Sequence, residues 1–426
     1  MTIFVFIGSL LGLMALGMPI AFALIGCGLA MMFHMGVTDP QIVIQNMWDG
    51  SNSFPLLAVP FFMLAGEFMN AGGMTRRIIN MAMAWIGHIP GGLGYVAVTA
   101  AVIMASLSGS AVADTAALAS VLVPMMRTAG YDVNRSCGLI ACGGIIAPVI
   151  PPSIGMIVFG VVANVSIGKL FMAAIVPGLM MGISLLVAWL IVARRDQVKV
   201  FPRMPMGQRL RVALDSVWAL VMPAGIVGGM KFGVFTPTEA AVAAAVYAFV
   251  VGAFVYRELK LSAIYPILVS SAKTTAVVVF LIATALVSGW LITASDIPSQ
   301  MSALLQPFIG SPIILMAMMM VLVVIVGTAL DFAPTLLILT PVLMPIVREA
   351  GINPVYFGVL FIMNNAIGLI TPPVGIVLNV VCGAAKLRMS ELMKGLWPFL
   401  WAELFVLFLL VAFPPIVLVP LKWLSH

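Results

Sequence analysis

The chain has 426 residues, 63% of them hydrophobic and only 8% charged, with 20 Lys and Arg against 14 Asp and Glu. This balance excludes a soluble globular domain and points to an all-α polytopic membrane protein. The net charge of +6 is no sign of nucleic acid, because the basic residues cluster in short loops as cytoplasmic connections do.

Apolar runs begin at once, at 3–33, and recur at 170–193, 212–230, 240–256, 275–292 and 399–421. About 20 apolar residues span a bilayer, and that rule gives roughly ten to twelve segments. The first run passes directly into further spans, so it reads as a membrane helix and not as a cleaved signal. No soluble domain and no Gly-rich phosphate loop is recognised, so no nucleotide-driven step is expected of this chain. Cys27, Cys137, Cys142 and Cys382 lie in apolar segments without metal-ligand spacing and read as packing residues. The 32 methionines read the same way.

At 102–124 the apolar pattern is interrupted by small and polar residues, "VIMASLSGSAVADTAALASVLVP". Two arms of about ten residues are too short to span, which predicts a re-entrant helical hairpin at about 99–126. A longer helix follows at about 136–163, broken at its centre by "IAPVIPPSIG". The segment 193–211 carries six basic residues, one acid and two prolines, and 194–211 reads as a cytoplasmic linker between halves 1–193 and 212–426. "TPTE" at 236–239 predicts a helix start with Thr236 at N-cap, Pro237 at N1 and Glu239 at N3. A second interrupted stretch, "VVIVGTALDFAPTLLILTPVLMP", predicts a hairpin at about 320–347. "IGLITPPVG" then breaks a helix at about 356–383, and Trp397, Trp401 and Trp423 mark the interface of the last span.

The halves repeat. Residues 106–177 align with 327–398 without a gap at an offset of 221, with fourteen identities that include four prolines and an Arg-x-Ala-Gly. Weak internal symmetry of this sort is a transporter signature. With the linker in the cytoplasm, Arg127, Arg135, Arg257, Lys260, Lys386, Arg388 and Lys394 all fall inside, and the two hairpins enter from opposite sides. The repeat is therefore expected to be inverted, with only Arg348 outside against the charge trend. A proline break strips carbonyls of their partners at membrane depth, where a cation can accept what water cannot. Two breaks at matched positions therefore read as ion-binding devices.

The stretches "SLSGSAVADTAA", "GGIIAPVIPPS", "FTPTEAA", "LILTPVLMP" and "GLITPPVG" resemble the large membrane (M, DctM-type) subunit of TRAP, tripartite ATP-independent periplasmic, transporters. The likeness covers the whole chain and looks closest to the 2,3-diketogulonate branch, with sialic acid or a C4-dicarboxylate as alternative substrates. The resemblance implies sodium-coupled uptake of an organic acid across the bacterial inner membrane by an elevator mechanism, without enzymatic activity or an organic cofactor. It also implies two separate partners, a small four-helix (Q-type) membrane subunit and a periplasmic (P-type) substrate-binding protein. One sodium site is implied between each hairpin tip and its broken helix: Gly327, Gly368, Thr371 and Val374 for the second, and Ser106, Ala147 and Ser153, with Gly144 beside the break, for the first.

Substrate is then expected between the hairpin tips, with Ser108, Ser110, Thr335 and Asn365 as candidates. Each of these is equally suited to local capping. Glu67, Asp114, Asp296 and Asp331 are acids in or beside apolar segments, a pattern that marks functional sites. Asp114 and Asp331 are expected to cap the second arms of their hairpins. Lys273 fits either a snorkelling end residue or a partner for an acid. No arginine lies in the tips, so backbone amides and helix ends, or Arg76 or Arg77 from outside, would hold a carboxylate. Two other classes were weighed. An intramembrane hydrolase lacks a base, since His34, His88 and His426 fall outside every motif. A passive channel would show flux independent of any gradient.

Overall fold

The computed structural model describes residues 2–37, 39–193, 201–295, 297, 300, 308 and 310–424. Asp296, His426 and residues 194–200 of the expected linker lie outside the described residues. Among the described residues the chain is all helix, without a strand.

The first run does not span as one helix. Gly17, at φ 80°, and Pro19 divide it into α1 (Thr2–Ala15) and α2 (Ile20–Met35). There follow α3 (Pro40–Ser51), a 3₁₀ turn (Phe54–Leu57), α4 (Ala58–Ala71) and α5 (Met74–Ile86). The first hairpin is α6 (Gly92–Ser108) and α7 (Ala111–Thr128), the first broken helix α8 (Val133–Gly144) and α9 (Ile154–Ala163), and α10 (Ile167–Ala193) closes the half. The second half opens with α11 (Met206–Lys231), α12 (Pro237–Val250), which runs into a π segment (Val251–Val255), and α13 (Leu261–Ala294). Its hairpin is α14 (Pro312–Ala329) and α15 (Phe332–Glu349). Its broken helix is α16 (Pro354–Gly368) and α17 (Ile376–Ala385), followed by α18 (Met389–Ala412) and α19 (Pro415–Leu424).

Seven helices among the described residues are long and apolar enough to cross a membrane. The expected ten to twelve segments included runs that fold as shorter helices, such as α1 and α2. The hairpin arms are longer than the ten residues expected, at 17 and 18 in the first hairpin and 18 in each arm of the second. That is about 26–27 Å of helix, just under the ~30 Å hydrocarbon core. The interruption is confined to the tips because the flanking serines stay helical. Ser106 donates its hydroxyl to the Ile103 carbonyl at 2.6 Å, inside its own turn.

Local caps fix the starts. Thr236 and Glu239 form the expected capping box, with the Glu239 carboxylate accepting the Thr236 N–H at 2.8 Å and the Thr236 hydroxyl accepting the Glu239 N–H at 3.3 Å. Asp331 caps α15, accepting the Phe332 N–H at 2.6 Å. Asp114 does not cap α7 as expected. Ser110 does, because it precedes the first helical residue while Asp114 already lies within the first turn.

Two further contacts assemble the bundle. Trp189 on α10 is buried, donates Nε1–H to the Gly91 carbonyl at 2.8 Å, and stacks between Tyr131 and Phe399 at 6.1 and 6.2 Å. On the other side Arg77 of α5 pairs with Asp215 of α11 at 3.0 Å and with Glu258 at 2.8 Å, and lies 3.7 Å above the Tyr256 ring.

The repeat arginines cross between the halves. Arg127, at the end of α7, donates to the Ala385 carbonyl at the C-terminus of α17, at 2.8 Å. Arg348, at the end of α15, donates to the Ala163 carbonyl at the C-terminus of α9, at 2.9 Å. Each hairpin thus closes the broken helix of the opposite half, where a cation suits the helix dipole. This contact explains why Arg348 stands where the charge trend disfavours it. Arg127→Gln and Arg348→Gln should each lower stability by about 1.5–3 kcal/mol, the worth of a hydrogen bond from a charged group. The two losses should add in the double variant, because the sites share no partner. Thermal unfolding in detergent reads this out, and unchanged melting temperatures would show the clamps to be idle.

Candidate functional site

The two breaks hold their own backbone in tight turns. In the first, Ala147 and Val149 donate to the Gly144 and Ile146 carbonyls at 3.3 and 2.9 Å. Ser153 is buried, caps α9, and donates its hydroxyl to the Pro148 carbonyl at 2.5 Å. In the second, Thr371 donates its N–H to the Gly368 carbonyl at 3.0 Å and its hydroxyl to the Ile367 carbonyl at 2.8 Å. The Val374 carbonyl accepts from Asn379 at 3.1 Å. Both breaks contain a cis Pro-Pro bond, Pro151–Pro152 and Pro372–Pro373.

Each hairpin tip lies against the break of its own half. At the first, Gly109 takes φ 62°, and an added Cβ would meet the Pro152 carbonyl oxygen at 2.8 Å. Glycine is needed there for conformation and for space. An added Cβ on Gly144 would clash with the Thr115 hydroxyl, so α7 also rides directly on the end of α8.

At the second, Gly327 faces Gly368, and a Cβ on Gly368 would meet the Gly327 carbonyl oxygen at 3.0 Å. The Gly327 carbonyl belongs to the last turn of α14, where a helix runs out of its own donors. Beside it lies Asn365, whose Nδ2 donates to the Phe332 carbonyl at 2.6 Å while its buried Oδ1 has no partner among the described residues. An added Cβ on Gly327 would stand 3.8 Å from that Oδ1.

The second group of sodium candidates thus brings together oxygens of Gly327, Gly368 and Asn365, with Thr371 and Val374 in the adjoining break. These are neutral oxygen donors, the set a hard cation takes. Among the described residues no three His, Cys, Asp or Glu side chains gather as a transition-metal set. In the first group the hydroxyl protons of Ser106 and Ser153 are committed to backbone carbonyls, which leaves oxygen lone pairs and the carbonyls of the break as donors. Ala147 is buried and adds no side-chain oxygen.

The substrate candidates separate. Ser108 and Ser110 line a recess of about 240 Å³ between α4, α5 and α13 on one side and the first hairpin with Ile154 on the other. Thr335 and Asn365 are not among its lining residues. Thr335 is turned inward, donating to the Asp331 carbonyl at 2.9 Å. The recess also contains Glu67, Asn70, Thr75, Asp114 and Thr274. Ser108 donates to Asp114 Oδ1 at 2.5 Å and accepts the Ser110 N–H at 3.1 Å, while Asp114 Oδ2 is buried without a partner. Lys273, beside Thr274, is exposed and forms no salt bridge among the described residues.

Asn70, Thr75 and Thr274 were missed in the sequence because nothing in their own segments sets them apart; only the meeting of α4, α5 and α13 does. Glu403 was missed too. It is fully buried on α18 with both carboxylate oxygens unpartnered among the described residues, and its one signal was a lone acid in the apolar run 399–421.

Paired broken helices behind hairpin tips, bordering a polar recess, define a secondary transporter. Residues 7–416 match the family described as the tripartite ATP-independent periplasmic transporter, DctM component, and the chain belongs to that family. It is 52% identical over the full length of both chains to the 2,3-diketo-L-gulonate TRAP transporter large permease protein YiaN of Escherichia coli. It is 37% identical to the C4-dicarboxylate TRAP transporter large permease protein DctM of Pseudomonas aeruginosa, covering 89% of each chain. It is 36% identical to the sialic acid TRAP transporter large permease protein SiaM of Vibrio cholerae, covering 95% of each. The structure of the Alcanivorax borkumensis YdaH transporter, described as having an unusual topology, shares the fold with a TM-score of 0.66 at 14% identity, over 90% of this chain and 88% of that one. The protein is therefore a multi-pass inner-membrane transporter permease and not an enzyme.

Asp114→Ala removes the carboxylate that holds Ser108 and faces the recess. Uptake should fall by at least about tenfold, the effect of ~1.4 kcal/mol, with the amount of protein in the membrane unchanged. Undiminished uptake by that variant would remove the recess from consideration.

Proposed function

We propose that this chain carries out sodium-coupled uptake of a sugar acid such as 2,3-diketogulonate, handed over by a periplasmic binding protein. The substrate class rests on the full-length 52% identity to a 2,3-diketo-L-gulonate permease, against 36–37% to sialic acid and C4-dicarboxylate relatives. The observation that carries the sodium assignment is the meeting of the Gly327 and Gly368 backbones beside the unpartnered Asn365 Oδ1. A buried amide oxygen without a donor is costly, and a cation offsets that cost. On this reading the Asn365 amide oxygen serves the ion, not the substrate.

The same contacts support a link between ion and substrate. Asn365 bonds the Phe332 carbonyl, the Phe332 ring fills the space beside Gly155, and the neighbouring Ile154 lines the recess. An elevator motion fits this layout. The hairpins and broken helices, cross-tied by Arg127 and Arg348, would move as one body against α4, α5 and α13, with the recess on the sliding boundary. The small four-helix subunit would brace that scaffold in the lipid.

Proteoliposomes holding the chain with its small subunit, supplied with the binding protein and 2,3-diketogulonate, test the proposal. Uptake should require an inward sodium gradient and vanish when potassium replaces sodium. Thr371→Val should raise the sodium concentration for half-activation several-fold, roughly 1 kcal/mol for a lost oxygen ligand. Gly368→Ala, which pushes the Gly327 carbonyl away, should do the same or more. Uptake in potassium at the sodium rate would end the coupling assignment. Unchanged sodium activation in both variants would remove the second site.

A further inference from the structure

Arg209 is a buried cation without a salt-bridge partner among the described residues. It lies near the start of α11 with 4% of its surface exposed, and its Nε has no partner among the described residues. Its one side-chain hydrogen-bond partner among the described residues is His88, with Nη2 3.3 Å from Nδ1. A guanidinium only donates, so Nδ1 is the acceptor and Nε2 carries the ring proton as a donor. The nearest acid on the same helix, Asp215, is engaged by Arg77. Desolvating a guanidinium without a counter-charge is costly.

The surroundings add positive charge and a recess. Loss of water around the ring, then the charges of Arg209 and Arg203, hold the His88 imidazole below its ordinary value, so it is neutral near pH 7. His88 lines a recess of about 140 Å³ together with Met83, Ala84, Gly87, Phe201, Pro202 and Met204. Leu210 and Leu214 are exposed next to Arg209 along α11, at 55% and 64%. The basic linker thus gives way to a lipid-facing apolar surface at this level, as it does at a cytoplasmic interface.

We propose that Arg209, His88 and Arg203 form a binding site for a phosphate group, carried by a membrane phospholipid or free in solution. Guanidinium and imidazole N–H donors converge on its oxygens, and Phe201, Met204 and Leu210 offer apolar surface to an acyl chain.

Native mass spectrometry of the full chain, released from detergent, tests this with three probes: phosphatidylglycerol, a galactolipid of matched chains without phosphate, and inorganic phosphate. The wild type should retain phosphatidylglycerol about tenfold better than the galactolipid, and Arg209→Gln should abolish the difference. His88→Gln and Arg203→Gln, at less buried positions, should each narrow it, and they stand as the test if Arg209→Gln does not fold. Competition by inorganic phosphate would identify a free-phosphate site; no competition would identify a phospholipid headgroup. Equal retention of both lipids, or a preference untouched by His88→Gln and Arg203→Gln, overturns the proposal.

Discussion

The constraint on which the structure turns is the fate of backbone carbonyls where two helices unwind inside the bilayer. Hydrocarbon supplies no donors, so every carbonyl in 145–153 and 369–375 needs a partner from the protein or an ion. Tight turns satisfy several, and short side chains satisfy more: Ser153 takes Pro148, Thr371 takes Ile367, and Asn379 takes Val374. The hairpin tips touch the breaks at Gly109 and at Gly327, and Asn365 Oδ1 beside the second is buried with no partner among the described residues. Glycine at 368 lets the break approach the Gly327 backbone closely, since a Cβ there would press on the Gly327 carbonyl at 3.0 Å. The polar tips, the glycines and the prolines are therefore one device.

The crossed arginines give this device its mechanical setting. A half-helix of ten residues, such as α9 or α17, has little to hold it in place by itself. Arg127 and Arg348 anchor each one to the hairpin of the other half, at the same position of the repeat. Neither break can then reorganise without pulling on the other half. The clamps also account for the retention of a charged side chain at the end of each second arm, since both guanidiniums face C-terminal carbonyls and the negative end of a helix dipole.

Proline and glycine spacing carried most of the architecture into view, because only the backbone dictates those residues. The interruptions at 145–153 and 369–375, the capping box at Thr236 and the cap at Asp331 all depend on chemistry local to a few residues, and one sequence is enough to reveal them. The hairpin arms run longer than ten residues because small polar residues at their ends can stay helical, as Ser106 does by bonding within its own turn. Asp114 has a capping residue's chemistry but lies inside the first turn of α7, with Ser110 at the N-cap position ahead of it. The recess was beyond a linear reading. Gly66, Asn70, Thr75 and Thr274 meet the first hairpin only through packing of α4, α5 and α13. Periodicity within any one of those helices carries no trace of the meeting.

The recess also bears on why an ion should accompany the substrate. Its lining includes two carboxyl groups, Glu67 and Asp114, and no Lys, Arg or His. A substrate carboxylate entering it finds no basic side chain to pair with among the lining residues. The first turn of α7, with Ser110, Val112 and Ala113 in the lining, contributes only about half a positive charge at its N-terminus. An organic anion is thus poorly received by the protein alone. Cations held at the two breaks, the first of them directly behind Ser108 and Ile154 of the recess wall, would supply the missing positive charge without any basic side chain. On the proposed function, sodium coupling is then an electrostatic requirement of binding: empty breaks disfavour the substrate, and an occupied site favours it by the same free energy that the substrate returns to the ion.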